Sequence, residues 1–190
     1  MDQLVIATHN KGKFAEFQTF LAGQAVRLVS AADLNLPEPD EIGNSFYENA
    51  EIKARASAVA AQLPALADDS GLCVTALGGA PGIYSARWAL NKNFQTAMDR
   101  IFYELGDAAP QAEFVCVLAL TQPNGKTHFF EGRCSGILIQ QPRGSHGFGY
   151  DPYFIPDGYD QTFAELGKEV KDSISHRAQA LDALIRSWAH

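Results

Sequence analysis

Two adjacent aspartates, Asp68 and Asp69, lead into Ser70 and Gly71 directly after the short apolar run Ala65–Ala67, which reads as a strand. Open sheets place ligand sites at the carboxyl ends of their strands, so this position is suited to chemistry. Neighbouring residues on a strand point to opposite faces, and only one of the two carboxylates would face a site. The plain alternative is an Asx-turn after an edge strand. A second acidic group, Glu38, Asp40 and Glu41, lies on a Pro-rich loop. One carboxylate from each segment would suit Mg²⁺, a hard ion that keeps waters and takes its remaining ligands from phosphate. Taken alone, an acidic loop is simply solvated, and spacing does not establish that the two segments converge.

Cationic and donor groups gather at two further places. Thr8-His9-Asn10-Lys11-Gly12-Lys13 follows the first predicted strand and opens the first predicted helix, where backbone N–H groups and the helix dipole favour a phosphate. The segment is not a P-loop, because Phe14 follows Gly12-Lys13 where that pattern needs Ser or Thr. Lys168, Lys171, His176 and Arg177 cluster around the start of the last predicted helix. Cations there oppose the helix dipole, a placement that an anionic ligand would offset.

These groups need elements to hold them. Leu4–Ala7 reads as a strand, and Phe14, Phe17, Phe20 and Leu21 recur at helical spacing. Val26–Val29 reads as the next strand. Ser45 and Glu48 predict a capping box, with a helix from Phe46 to about Gln62 that Leu63-Pro64 ends. Leu72–Leu77 looks extended, and Gly78–Gly82 is a loop. Phe94–Leu105, with Ala97, Ile101 and Leu105 on one side, reads as an amphipathic helix. Glu113–Leu120, the turn Asn124-Gly125 and Thr127–Phe130 read as a β-hairpin. Tyr153–Ile155 is a short apolar run after a Gly-rich loop, and Ser175–Trp188 closes the chain as a helix. The pattern is α/β with an antiparallel element.

At 190 residues, 46% hydrophobic and 19% charged, the chain is expected to form one folded domain spanning 1–190. A net charge of −7 argues against an extended nucleic-acid surface, which needs many Lys and Arg contacts to phosphate. No apolar run approaches the roughly 18 residues of a membrane span. Met1-Asp2-Gln3 offers no basic stretch ahead of an apolar one, so no membrane partner and a cytoplasmic location are expected. Cys73, Cys116 and Cys134 are expected to be reduced core or near-core thiols.

Six segments together resemble the inosine triphosphate pyrophosphatase family, the non-canonical purine nucleoside triphosphate pyrophosphatases, and particularly its bacterial members. They are Thr8–Lys13, Ser45–Ala54, Ala67–Leu72, Leu77–Arg87, Gly147–Pro152 and Ser175–Arg177, in the family's order from the first strand to the last helix. The resemblance implies an elongated mixed α/β sheet with flanking helices, and two lobes around a nucleotide-binding cleft in a homodimer. It implies hydrolysis of inosine, deoxyinosine and xanthosine triphosphates to monophosphate and pyrophosphate, with Mg²⁺ as cofactor. Asp69 is then the catalytic proton acceptor, and Asp69 and Glu41 are the metal carboxylates. Thr8, His9, Asn10, Lys11, Gly12, Lys13 and Lys53 serve the triphosphate. Phe148, Gly149, Tyr150, Asp151, Lys171, His176 and Arg177 serve the base, with Ser70 beside the metal.

Two residues depart from the family's usual pattern: His9 and His146 stand where glycine is common. His9 bears on how closely the first turn approaches phosphate. Two other readings stay open from the residues alone. One is a pyrophosphatase acting on modified pyrimidine, thymidine or uridine nucleotides; the other is a nucleotide-binding module without turnover. Asp69, Lys13 and Lys53 argue against the last.

Overall fold

The computed structural model describes residues 2–188; Met1, where the expected 1–190 domain begins, and its last two positions lie outside them. Twelve helices and strands position the site. They are β1 (Gln3–Ile6), α1 (Lys11–Leu21), β2 (Arg27–Ser30), α2 (Phe46–Ala61), β3 (Ala65–Val74), the single turn α3 (Ser85–Trp88) and α4 (Phe94–Leu105). β4 (Gln111–Thr121), β5 (Thr127–Leu138), β6 (Phe154–Pro156), α5 (Phe163–Ile174) and α6 (His176–Trp188) follow. The six strands form one mixed sheet in the order β2-β1-β3-β4-β5-β6. β1 runs parallel to β2 and β3, and β5 runs antiparallel to β6. The expected α/β class with a mixed sheet and flanking helices is what forms.

The chain divides into two compact units. The first comprises Met1–Asp69, Val117–Glu131 and Ala180–His190. Asn10 caps α1, its side chain accepting from the N–H groups of Gly12 and Lys13. Ser45 caps α2 through Glu48 N–H, but Glu48 reaches back to Asn44 N–H at 2.6 Å rather than to Ser45, so the predicted box closes one residue early. α2 ends at Gln62, which takes the left-handed conformation ahead of Leu63-Pro64. Val5 of β1, Ala58 of α2 and Ala65 of β3 are fully buried together, with Leu36, Ala61 and Leu63 packed against them. Small alanines on α2 let the helix approach β1 closely, and burying such apolar area at roughly 25 cal/mol per Å² fixes where Lys53 projects.

The second unit comprises Ser70–Cys116 and Gly132–Gln179. Its core joins Leu72 and Val74 of β3 to Ala97, Met98, Ile101 and Leu105 of α4, to Phe114, and to Tyr150, Phe154 and Phe163. The α4 residues named in the sequence are the ones that face this core. Phe114, Phe154 and Phe163 lie with ring centroids 4.6–6.0 Å apart, a spacing at which aromatic pairs attract beyond simple area burial. Cys116 and Cys134 are buried and Cys73 is half-buried; none of the three forms a disulfide among the described residues. Burial pushes the thiols of Cys73 and Cys134 up to about 11, so neither is a ready nucleophile.

Two segments differ from the sequence reading. Asp68, Asp69, Ser70 and Gly71 do not follow a strand but sit inside β3, which continues to Val74, and Thr75–Leu77 is a 3₁₀ turn rather than extended chain. Leu72 N–H bonds to Ser85 Oγ at 2.8 Å, which helps keep the strand going past Gly71. α5 was not foreseen. Thr162 and Glu165 form a full capping box at its start, while Gly167 takes a positive φ of 79° and interrupts the helical pattern.

Candidate active site

Five charged side chains of the first unit converge. Asp68 and Asp69, adjacent on β3, are both buried. Each meets a lysine from a different helix, as their opposite orientations on a strand require. Lys13 of α1 places its ammonium 3.0 Å from both oxygens of Asp68. Lys53 of α2 places its ammonium 3.3 Å from Asp69 Oδ1 and 2.5 Å from Glu41 Oε1. The acidic loop and the aspartate strand, whose convergence was open in the sequence, therefore meet through Lys53. Of the loop's three acids, Glu41 is the one that Lys53 holds, whereas Glu38 lies near His9.

Burial dominates the electrostatics of Asp69 and raises its pKa; Lys53 opposes that shift and Glu41 reinforces it. The carboxyl thus becomes a stronger proton acceptor than an ordinary aspartate. For Lys53, burial acts to lower the pKa, but Asp68, Asp69 and Glu41 outweigh it and the net direction is upward. Lys53 stays a cation. Asn49, buried on α2, accepts from Gly43 N–H at 2.9 Å and lies close enough to Asp69 to favour its charged form slightly. A Cβ on Gly43 would meet Glu48 Cβ at 2.6 Å, so glycine lets the acidic loop lie against α2. Neither Asn49 nor Gly43 was singled out in the sequence, although Asn49 falls in the Ser45–Ala54 segment.

Whether these residues suit Mg²⁺ can be judged on one atom: Asp69 Oδ2 is buried with no hydrogen-bond partner among the described residues. Such an atom costs about 1–3 kcal/mol unless a ligand meets it. Among the described residues, no three His, Cys, Asp or Glu side chains gather as a closed ligand set. Mg²⁺ needs only one or two carboxylates when phosphate completes its shell, so Asp69 and Glu41 fit.

The Thr8–Lys13 turn is largely satisfied internally. Asn10 N–H bonds to Thr8 Oγ1 at 3.1 Å, and Asn10 Oδ1 takes Gly12 and Lys13 N–H at 2.8 and 3.2 Å. Thr8 is buried, while His9, Asn10, Lys11 and Gly12 are exposed. Thr8, His9, Asn10 and Lys11 line a recess of about 290 Å³ with Phe14, Ser30, Ala32 and Asp33. His9 is not among the residues with positive φ, so the turn accepts a side chain there without strain.

In the second unit, Lys171 of α5 is held 2.5 Å from Asp151 Oδ2, which also accepts from Phe148 N–H at 2.8 Å. The Lys171 ammonium lies 4.7 Å from the centre of the Phe148 ring, within cation–π range. Phe148 is 55% exposed, an aromatic face presented beside a cation. Gly147 has φ of 77°, and a Cβ there would lie 2.2 Å from Asp151 Oδ2. Gly149 is half-buried beside Phe94, and Ser70 is half-buried in β3. Tyr150 belongs to the core: its ring meets Phe94 edge-on at 4.9 Å, and its hydroxyl donates to Ser85 O at 2.8 Å. Burial raises its phenol pKa, so it stays neutral. His176 is buried and stacks on Phe114 at 4.8 Å, and Arg177 beside it is buried too. Lys168 stands apart, paired on its own exposed helix face with Asp172. His146 is an exposed loop residue whose N–H bonds to Ala164 O.

Among known proteins, residues 4–187 match the model of the Ham1 family. The chain is 54% identical over 189 residues to a dITP/XTP pyrophosphatase of Rhodospirillum centenum, covering 97% of this chain and 93% of the relative. It is 49% identical over 187 residues to a dITP/XTP pyrophosphatase of Gluconobacter oxydans, covering 97% and 90%. Among solved structures, a HAM1 protein from Coxiella burnetii superposes with a TM-score of 0.93 at 38% identity, covering 100% of this chain and 99% of that one.

Proposed function

The chain belongs to the Ham1 family, and from that premise we propose that it hydrolyses deaminated purine nucleoside triphosphates, among them those of inosine and xanthosine, to the monophosphate and pyrophosphate. The observation that carries this reading on the chain's own residues is the pair of buried aspartates, Asp68 and Asp69, interleaved with Lys13, Lys53 and the half-exposed Glu41. Removing such nucleotides would keep them out of DNA and RNA.

Water attacks the α-phosphorus, the α–β bridging P–O bond breaks, and pyrophosphate leaves with the bond's electron pair. Asp69, the buried carboxylate beside Lys53, takes the proton of the attacking water. Mg²⁺ held by Asp69 and Glu41 would supply charge stabilisation on the triphosphate oxygens. Lys53, on contact with Asp69 and Glu41, orients both carboxylates, and Lys13, oriented by Asp68, balances phosphate charge. Thr8 and Asn10 shape the turn from which Lys13 extends, and Lys11, exposed at the start of α1, adds positive charge to it.

Base reading falls to the second unit. The exposed ring of Phe148 offers a stacking face, and Lys171 and Arg177 supply donors for the 6-oxo acceptor of hypoxanthine or xanthine. Adenine presents an amino donor at that position, which would face these donors unpaired. His176 and Tyr150 support this group from the core rather than reaching outward. The reading extends to a homodimer acting in the cytoplasm, which light scattering on the purified chain tests in its first part. Among the described residues no helix is long and apolar enough to cross a membrane.

The deciding experiment is a panel of nucleoside triphosphates with separate detection of phosphate and pyrophosphate, run with Mg²⁺ and with a chelator. Pyrophosphate from inosine and xanthosine triphosphates, lost on chelation, is the expected result. Preference for thymidine or uridine triphosphate, or release of orthophosphate instead, would overturn the reading.

A further inference from the structure

The loop that carries Glu41 has little backbone pairing of its own. Pro37 and Pro39 have no N–H to give. Leu36 N–H bonds back to Ala31 O and Ile42 N–H to Asp40 O. At its far end the loop is fastened to α2 by Gly43 N–H on Asn49 and Asn44 N–H on Glu48. At its near end it is fastened by a residue far away in sequence: His9 Nε2 lies 2.8 Å from Leu36 O, across a separation of 27 positions. A carbonyl oxygen only accepts, so Nε2 carries the proton and donates. His9 Nδ1 lies 4.0 Å from Glu38 Oε2, a second approach to the same loop. The side chain is 34% exposed, so it does not fill a core, and what it adds is this hydrogen bond.

We propose that His9 is a positioning residue: by tying the Thr8–Lys13 turn to Leu36, it orders the acidic loop so that Glu41 is held ready beside Lys53 and Asp69. The inference rests on the reading of Glu41 given above. It accounts for a side chain where the turn would accept glycine equally well, since His9 lies outside the positive-φ region. Fixing both ends of a proline-bearing segment leaves fewer conformations for Glu41 to lose when its ligand arrives.

The test compares His9→Ala, His9→Gly and His9→Gln, the last because its side-chain amide reaches about as far as Nε2. Hydrogen exchange is followed first on the chain without metal or nucleotide. His9→Ala and His9→Gly should speed exchange in residues 36–42 by about 2–10-fold, the worth of one hydrogen bond, with α2 unchanged and His9→Gln restoring protection. In turnover with inosine triphosphate, the Mg²⁺ concentration for half-maximal rate should rise by a similar factor of about 2–10 in the same two variants, more than KM for the nucleotide moves. Unchanged exchange in 36–42, or an unchanged Mg²⁺ midpoint, overturns the proposal. Faster exchange throughout the first unit also overturns it, because that reports general destabilisation. A parent chain that needs no ion defeats the enzymatic reading itself and the purpose assigned to the tie, whereas exchange tells separately whether the tie exists.

Discussion

The ammonium of Lys13 lies 3.0 Å from each carboxylate oxygen of Asp68, although Asp68 is 4% exposed and 55 positions away in sequence. A buried carboxylate held this way suffers when its nearest cation is removed, because less positive charge is left to balance it. Lys13→Met should therefore cost about 3 kcal/mol in urea unfolding, and adding Asp68→Asn should recover more than half of that loss. Strictly additive losses in the double variant would show that the pair is not coupled.

Asp69→Asn should abolish pyrophosphate release while leaving the fold intact, since it keeps volume but removes the charge. The same substitution has a stability signature with a definite sign. The folded pKa of Asp69 is raised above 3.8, so its contribution to stability is present below that value and is lost as pH rises through the folded pKa. Asn at this position does not titrate, so the variant should gain in melting temperature relative to the parent as pH rises from below 3.8 to neutrality. Melting curves across that range check this; a variant that loses ground to the parent as pH rises contradicts burial as the dominant influence.

Phe148 and Tyr150 are two positions apart and should respond in opposite ways. Phe148→Ala removes an exposed ring and should leave stability within about 0.5 kcal/mol, while raising KM for inosine triphosphate by about 5–100-fold through lost stacking. Tyr150→Phe removes the hydroxyl that donates to Ser85 O and should cost about 1 kcal/mol of stability with little change in KM. Unfolding and kinetics on both variants test the division; equal effects on KM would defeat it.

Arg177→Ala should damage inosine triphosphate hydrolysis more than adenosine triphosphate hydrolysis, which the proposed base reading expects to be poor. A charge-assisted hydrogen bond is worth about 1.5–3 kcal/mol, so kcat/KM for inosine should fall about 10–150-fold and the selectivity ratio should narrow. Because Arg177 is buried, the variant's melting temperature is measured alongside. A uniform fall for both nucleotides, at unchanged ratio, would move Arg177 to the phosphates.

How far the sequence led depends on which interactions are local. α2 and α4 were legible because their signals lie inside a few turns: Ser45 at one end, Leu63-Pro64 at the other, and Ala97, Ile101 and Leu105 along one face. The interior position of Asp68–Gly71 in β3 was not, because consecutive polar residues and a glycine read as a break, and the support from Ser85 comes from 13 positions away. α5 carried its signal in Thr162 and Glu165, but Gly167 masks the helical period. Of the candidate site, the residue types were readable and the pairings were not: nothing local says that Lys13 belongs to Asp68 and Lys53 to Asp69 and Glu41. Likewise Tyr150 shares a motif with Phe148, and only packing against Phe94 shows that it faces inward.

The glycine at position 147 limits how this protein can be altered. Its positive φ disfavours any side chain, and even a methyl group would lie 2.2 Å from the Asp151 oxygen that also receives Lys171 and Phe148 N–H. Gly147 and Asp151 therefore act as one fixed part, and a substitution at either disturbs both hydrogen bonds at once. On the reading proposed above, the member of this loop open to variation in nucleobase preference is Phe148, whose exposed side chain carries no such constraint. A library that randomises the whole loop would spend most of its members on misfolded chains, whereas one confined to position 148 would sample preference directly.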